Sequence, residues 1–97
     1  MRKLTIVIKP FKVDAVVRAL ILQNASAIHL IEARGYGRQK GHLDLYRDEP
    51  ERVVFLPKVR LECAVENDAV EGAIEAVIGA ARTGRIGDGK IWMEDLA

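Results

Sequence analysis

The residues most suited to chemistry lie between positions 82 and 90, where three glycines and three cations follow an apolar run. Glycines let backbone N–H groups approach a ligand closely, and cations offset the charge of a phosphate. Gly84, followed by Gly89 and Lys90, imitates the start of a Walker A loop, but Ile91 stands where a magnesium-binding Ser or Thr is required. Residues 82–90 therefore predict a phosphate-binding loop of another kind. The alternative is a simple turn that ends a helix.

Two elements must position this loop. Before it, Asp68 and Glu71 form a capping-box-like start, and apolar residues then repeat at helical spacing as far as Ala81. After it, residues 90–94 predict a short strand. Because a Walker loop leaves a strand and opens a helix, the order of elements also argues against that motif.

The rest of the chain predicts an α+β fold. β-branched runs and strict alternation predict strands, and apolar residues at helical spacing predict helices. The predicted elements are strands at 4–8, 28–34, 58–66 and 90–94, and helices at 13–23 and 68–81. This order is that of a ferredoxin-like βαββαβ sandwich, in which two helices cover one face of a four-stranded antiparallel sheet. The other face would carry Val7, Arg60, Glu62 and Ala64, a mixed surface that we expect a second subunit to cover in a homo-oligomer.

Composition narrows the class of protein. With 97 residues and a net charge of +1, the chain predicts one domain and gives no general electrostatic case for a nucleic-acid or membrane partner. The apolar run at 4–8 is too short for a signal peptide or a membrane span, so we expect a cytoplasmic protein without membrane insertion. Cys63 is the single cysteine, which excludes an intrachain disulfide, and its alternation with Leu61 and Val65 favours a buried thiol.

The connection between the second and third strands, residues 37–55, is unusually long for a compact domain. It mixes charges of both signs with apolar residues such as Tyr46 and Val53. Since exposed apolar residues are costly unless they sometimes become buried, this segment predicts a flexible docking loop. The alternative is a solvated hairpin without a role.

Several motifs along the chain carry a family resemblance. These are residues 9–12, 35–42, 45–47, 55–58 and 81–91. Together they resemble the PII signal-transduction proteins over nearly the whole chain. The resemblance implies a trimer with a nucleotide in each cleft between neighbours, and long loops that engage a membrane transporter or an enzyme of nitrogen metabolism. Family members are sensors rather than enzymes, and they respond to ADP, or to ATP with Mg²⁺ and 2-oxoglutarate.

The resemblance also assigns binding residues. Nucleotide contacts fall on Val7, His29, Gly35, Gly37, Arg38, Gln39, Ala64, Gly87, Asp88, Gly89 and Lys90. Contacts to 2-oxoglutarate fall on Gln39, Lys40, Gly41 and Lys58. Gln39 is implied to bind Mg²⁺ as well, and its amide oxygen is a hard ligand suited to that ion, while Lys58 is a point charge suited to a carboxylate. Without the resemblance, these two are an ordinary exposed amide and amine.

This sequence departs from the family pattern in several places. Glu51 and Glu49 match the loop positions that other members modify covalently, so we expect no modification there. His29 stands where a threonine near the adenine is usual, and residues 24–27 replace a glycine-rich turn. The chain stops at Ala97, before the C-terminal segment whose arginines contact phosphates in typical members. Losing charge-assisted contacts would weaken triphosphate binding by roughly tenfold or more for each contact.

Three functions are thus weighed. The first is a PII-type regulator that senses ATP, ADP and 2-oxoglutarate. The second is a divergent PII-like regulator of a neighbouring membrane transporter that has lost nitrogen sensing. The third is a small enzyme that uses the glycines of 82–90 for a substrate phosphate, but no nucleophile motif and no paired carboxylates support catalysis. His29 and His42 have no second ligand at metal-like spacing, so a zinc site is not expected.

Overall fold

The computed structural model describes residues 1–36, 55–85 and 87–96. Within these residues, one antiparallel sheet has the strand order β2-β3-β1-β4. The strands are β1 (Arg2–Ile8), β2 (Ser26–Gly35), β3 (Leu56–Val65) and β4 (Gly89–Asp95), and the helices are α1 (Val13–Leu22) and α2 (Val70–Ala81). A short 3-10 turn precedes each helix, at Pro10–Lys12 and Asn67–Ala69. The order of elements confirms the predicted ferredoxin-like fold.

The central position of β1 brings distant parts of the chain together. Ile6 pairs with Leu61 of β3 on one side and with Ile91 of β4 on the other. At the end of the same strand, Ile8 pairs with Gly89. The segment that leads into β4 therefore lies beside the segment that leaves β1, although the two are far apart in sequence.

The core lies between the two helices and one face of the sheet. Burial alternates along β1, with Leu4, Ile6 and Ile8 buried and the intervening residues half-buried. The helices contribute residues at helical spacing, including Val16, Leu20, Ala73, Val77 and Ala81. Cys63 is buried in this core as predicted, and burial raises the pKa of its thiol because the thiolate is poorly solvated there.

The opposite sheet face, called here the bare face, carries the side chains of alternate positions that no helix of the described chain covers. Thr5 pairs with Glu62 and with Trp92, and Val7 pairs with Arg60, which places these five residues on one face. An ion pair of 2.8 Å joins Lys3 to Glu62, while Trp92 remains 49% exposed. Ala64, the exception in the predicted alternation of β3, also belongs to this face. The predicted mixture of charged and apolar groups is confirmed.

The start of α2 differs from the sequence prediction. Ala69 is the N-cap residue, and no side-chain capping hydrogen bond forms there within the described residues, so the capping box predicted from Asp68 and Glu71 is wrong. The 3-10 turn replaces it, because the Ala69 N–H donates to the Glu66 carbonyl at 2.9 Å. A backbone hydrogen bond thus closes the turn before α2, where the sequence predicted capping by side chains.

The start of β2 is irregular. Asn24 and Ala27 have φ angles of 58° and 51°, in the left-handed region that asparagine tolerates better than alanine. The register with β3 shifts between Ser26 and His29. This irregularity sets His29 opposite Glu62 on the bare face.

Candidate functional site

Residues 82–90, called here the glycine loop, connect the end of α2 to the start of β4. Helix α2 ends because Arg82 is extended, with φ −68° and ψ 130°. Gly84 and Gly87 have φ angles of 82° and 85°, which other residues adopt only at a cost. Ile86 lies outside the described residues. The glycines thus lie between a helix and a strand, the order of elements that the sequence predicted.

Gly89 is required for a second reason, which is space. A Cβ atom added at Gly89 would stand 2.2 Å from the carbonyl oxygen of Val7, and its φ angle is 147°. No side chain fits such an approach, because the obstacle is backbone rather than a flexible group. Val7 and Gly89, both predicted nucleotide contacts, therefore lie in direct backbone proximity.

The Asp88 carboxylate turns back into the glycine loop and is bound there by four donors. One of its oxygens accepts hydrogen bonds from the N–H groups of Thr83 and Gly84, at 2.8 and 2.9 Å. The other oxygen accepts from the Lys9 ammonium at 3.1 Å and from the Thr83 hydroxyl. The hydroxyl, the amides and the ammonium hold the pKa of Asp88 well below its ordinary value. The loop thus binds its own Asp88 side chain through two backbone amides, a hydroxyl and an ammonium, and the predicted binding of a phosphate stays a prediction.

Lys58 fastens the glycine loop from β3. Its ammonium donates to the Gly87 carbonyl oxygen at 2.7 Å, and only 8% of the residue is exposed. Burial lowers the pKa of Lys58, and the charge of Lys9 lowers it further, while the Asp88 carboxylate acts in the opposite direction. Gly35 lies alongside, since a Cβ added there would stand 3.3 Å from the Lys58 Cγ. Lys58 is therefore a buried part of the loop's support rather than an ordinary exposed amine.

Two depressions lie beside the glycine loop within the described residues. Val7, Gly35 and Lys58 line a hollow of about 600 Å³ on the bare face. Asp88, Gly89 and Lys90 line a separate groove of about 410 Å³ that is also bordered by α2. Neither of these two depressions contains both sets.

Two further predicted contacts lie along the sheet. His29 is exposed on β2 and pairs opposite Glu62. Ala64 is half-buried and lies six residues along β3 from Lys58, a separation of roughly 20 Å.

The described residues do not include 37–54, which contain the predicted contacts Gly37, Arg38, Gln39, Lys40 and Gly41 and all of the predicted loop 37–55 except Phe55. At the ends that are described, the Tyr36 and Phe55 rings pack with centroids 5.9 Å apart.

Sequence reasoning missed Lys9 and Thr83 as partners of the glycine loop. Lys9 and Asp88 are 79 positions apart, so no local pattern connects them. Only the pairing of β1 with β4 brings them together, because Ile8 is opposite Gly89. In 1–36, 55–85 and 87–96, no three His, Cys, Asp or Glu side chains are grouped as metal ligands would be. The same residues include no helix of the length and apolarity needed to cross a membrane.

Comparison with known proteins identifies similar sequences over the whole length. The family model described as nitrogen regulatory protein P-II matches residues 1–97. The nitrogen regulatory protein P-II of Mesorhizobium japonicum is 53% identical over 96 residues, which cover 99% of this chain and 86% of the relative. That of Azospirillum brasilense is 53% identical over 93 residues, 96% of this chain and 83% of the relative. Nitrogen regulatory protein P-II 1 of Escherichia coli is 45% identical over 97 residues, 100% of this chain and 87% of the relative.

Proposed function

The chain belongs to the nitrogen regulatory protein P-II family, and on that premise we propose that it is a regulator that binds ATP or ADP together with 2-oxoglutarate. When these ligands bind, residues 37–55 change their interaction with a target, which is either a membrane transporter or an enzyme of nitrogen metabolism. It is not an enzyme in this proposal. The glycine loop is its nucleotide-phosphate site.

The observation that carries the proposal is the fixed course of the glycine loop beside an exposed cation. Lys58 holds the Gly87 carbonyl at 2.7 Å, and the Asp88 carboxylate ties residue 88 to Thr83 and Lys9. A glycine-rich backbone held in this way offers its remaining amides to phosphate oxygens. Lys90 is exposed at the start of β4 and supplies a further cation to a phosphate.

Ala64, a predicted nucleotide contact, lies roughly 20 Å along β3 from the Lys58 that holds the glycine loop, and this distance supports a site that a neighbouring subunit completes. We propose a homotrimer in which the bare face is covered and each nucleotide lies in a cleft between two chains. The half-exposed Trp92 and Ile31 on that face favour such coverage, because apolar surface gains stability when it leaves water.

Gln39 is the proposed Mg²⁺ ligand, bound to the metal together with the nucleotide phosphates. Its side-chain amide oxygen fits the preference of Mg²⁺ for hard oxygen ligands. Gln39, Lys40, Gly41 and Lys58 are the proposed contacts of 2-oxoglutarate. Lys58 is the member of this group that lies in the described structure, and its ammonium has three N–H donors.

Isothermal titration tests this function. We expect heat from ATP and from ADP, with a stoichiometry of one nucleotide per chain, and heat from 2-oxoglutarate when ATP and Mg²⁺ are present. Lys90→Ala should weaken ATP binding roughly tenfold, because a charge-assisted contact is lost. Arg18→Ala removes the same charge from the exposed surface of α1 and should leave binding unchanged. No heat from any combination of ligands would remove the proposal.

A second candidate is a PII-like regulator that has lost the response to 2-oxoglutarate. One observation bears on it: the Lys58 ammonium already donates to the Gly87 carbonyl at 2.7 Å, which leaves two of its three donors for a dicarboxylate. Titration of 2-oxoglutarate into protein loaded with ATP and Mg²⁺ separates the two. Binding of ATP with no heat from 2-oxoglutarate supports the second candidate.

A further inference from the structure

We propose that Lys58 is a positioning residue for the nucleotide phosphates, and that it acts by holding the glycine loop in its binding shape before any ligand arrives. This inference rests on the proposed function, since it concerns the same loop. It adds a role to Lys58 beyond the carboxylate contact implied by the family resemblance, because the new role operates when no 2-oxoglutarate is present.

The first step is the geometry of the peptide unit between Gly87 and Asp88. The Lys58 ammonium holds the Gly87 carbonyl oxygen at 2.7 Å. In a planar trans peptide, the C=O and the following N–H point in opposite directions. Fixing the Gly87 carbonyl toward Lys58 therefore fixes the Asp88 N–H away from Lys58. Gly87, with a φ angle of 85°, would otherwise leave this peptide unit comparatively free to rotate.

The second step is that Lys58 is itself held. It is 8% exposed, and its Cγ lies 3.3 Å from the position that a Cβ on Gly35 would take. A lysine ordered in this way gives up much of its rotamer freedom and part of its hydration. The repulsion from Lys9 adds to that cost. Because this ammonium is buried, ordered and hydrogen-bonded to a single carbonyl, it is suited to fixing the direction of that carbonyl.

The third step is that residue 88 is fixed from a second side. Its carboxylate is bound by Lys9 at 3.1 Å and by the Thr83 amide at 2.8 Å. The backbone before Asp88 is thus anchored to β3 and the side chain of Asp88 is anchored to the end of β1. A loop fixed at both points presents its amides without further ordering, and that pre-organisation raises affinity for an anion.

The two roles of Lys58 are compatible. An ammonium has three N–H donors, so one can remain on the Gly87 carbonyl while the others meet a carboxylate. Nucleotide affinity should therefore depend on Lys58 even in the absence of any dicarboxylate. A residue that served only as a 2-oxoglutarate contact would show no such dependence.

The test measures ATP and ADP binding by titration with no 2-oxoglutarate present. Lys58→Met keeps the unbranched side chain as far as the ε carbon and removes the ammonium with its donors, and we expect nucleotide affinity to fall about tenfold or more. Lys58→Arg restores a charged donor of longer reach and should recover most of that loss. Arg18→Met, which removes one positive charge from α1, controls for net charge and should bind as the wild type does.

A second measurement on the ligand-free proteins separates positioning from a direct attraction of charge. Hydrogen exchange of the amides at 87–89 should be faster in Lys58→Met than in the wild type, and slow again in Lys58→Arg. Thermal unfolding checks that each variant folds. Should Lys58→Met not fold, Lys58→Gln takes its place with the same expected loss, because it too ends one bond short of the lysine nitrogen and its amide falls short of the Gly87 carbonyl.

The outcomes distinguish this inference from the function it rests on. If the wild type binds neither ATP nor ADP, the proposed function fails. If the wild type binds and a folded Lys58→Met binds equally well, or shows unchanged exchange at 87–89, the positioning role is overturned while the proposed function stands.

Discussion

The Asp88 carboxylate ties the glycine loop to the end of β1, and that tie should make the stability of the protein depend on pH. Because its hydrogen bonds and the Lys9 ammonium depress the pKa of Asp88 in the folded state, its contribution is present above the ordinary value of 3.8. It is lost as the pH falls toward the folded-state value. We expect Asp88→Asn to be less stable than the wild type at pH 7, with a difference that shrinks as the pH is lowered through 4 and 3.

Urea unfolding at several pH values measures this difference, and taking it between wild type and variant cancels the titration of other carboxylates. Asp68→Asn is the matched control, since it removes the same charge from the exposed 3-10 turn and should change stability little at pH 7. A stability difference for Asp88→Asn that stayed constant from pH 7 to pH 3 would contradict the argument.

What could be predicted of the site follows from the range of each interaction. The position of the glycine loop between a helix and a strand was predictable because its glycines and cations are adjacent in sequence, while its binding of a phosphate stays a prediction. The two partners of Asp88 lie at very different distances in sequence. Thr83 is five positions away, but Lys9 is 79 positions away and contacts Asp88 only because β1 pairs with β4. Lys58 was predicted to contact 2-oxoglutarate from the family resemblance alone. Its hold on Gly87 required the three-dimensional arrangement.

The helix α2 contains two glycines whose surroundings differ, which gives a prediction about helix packing. A Cβ added at Gly79 meets nothing within 4 Å, so Gly79→Ala should stabilise the protein by about 1 kcal/mol through helix propensity. A Cβ added at Gly72 would stand 2.8 Å from the Gln23 Oε1, where α1 ends. Gly72→Ala should therefore gain less, because Gln23 must move.

Thermal unfolding of the two variants, and of Gly72→Ala combined with Gln23→Ala, tests the argument. For a domain of this size, 1 kcal/mol corresponds to roughly 4–8 °C in the unfolding midpoint. The double variant should recover the gain when compared with Gln23→Ala alone. Equal gains from Gly72→Ala and Gly79→Ala would show that the contact with Gln23 carries no cost.

The helices and strands were largely predictable, and the departures have identifiable causes. Periodicity located all six elements to within about two residues at most ends, because burial on one side imposes the period. The 3-10 turns before the helices were missed since one turn is too short to show a period. The irregular start of β2 was missed because Ala27, with a φ of 51°, is not a residue that signals a left-handed backbone.

The bare face connects the single chain to the proposed assembly. Its charged members are partly satisfied within the chain, since Lys3 and Glu62 pair at 2.8 Å, an arrangement that raises the pKa of Lys3 and lowers that of Glu62. Its apolar members are not buried, with Ile31 37% and Trp92 49% exposed. Pairing of the charges and exposure of the apolar groups together fit a surface that meets another copy of the chain.

Trp92 makes this proposal measurable, because it is the single tryptophan of the chain and belongs to the bare face. If three chains bury that face, wild-type protein should elute with the mass of a trimer and its tryptophan emission should lie to the blue of the emission of a monomer. Ile31→Lys sets a second cation opposite Arg60 on the same face, which a lone chain tolerates in water but an interface does not. We expect this variant to lose the trimer mass and to shift its emission to the red.

Leu22→Lys is the control: it adds the same charge on α1, where the residue is 80% exposed, and should keep the wild-type mass and emission. A wild type with the mass of a monomer, and with the same emission as Ile31→Lys, would refute both the covered face and the cleft that it was proposed to complete.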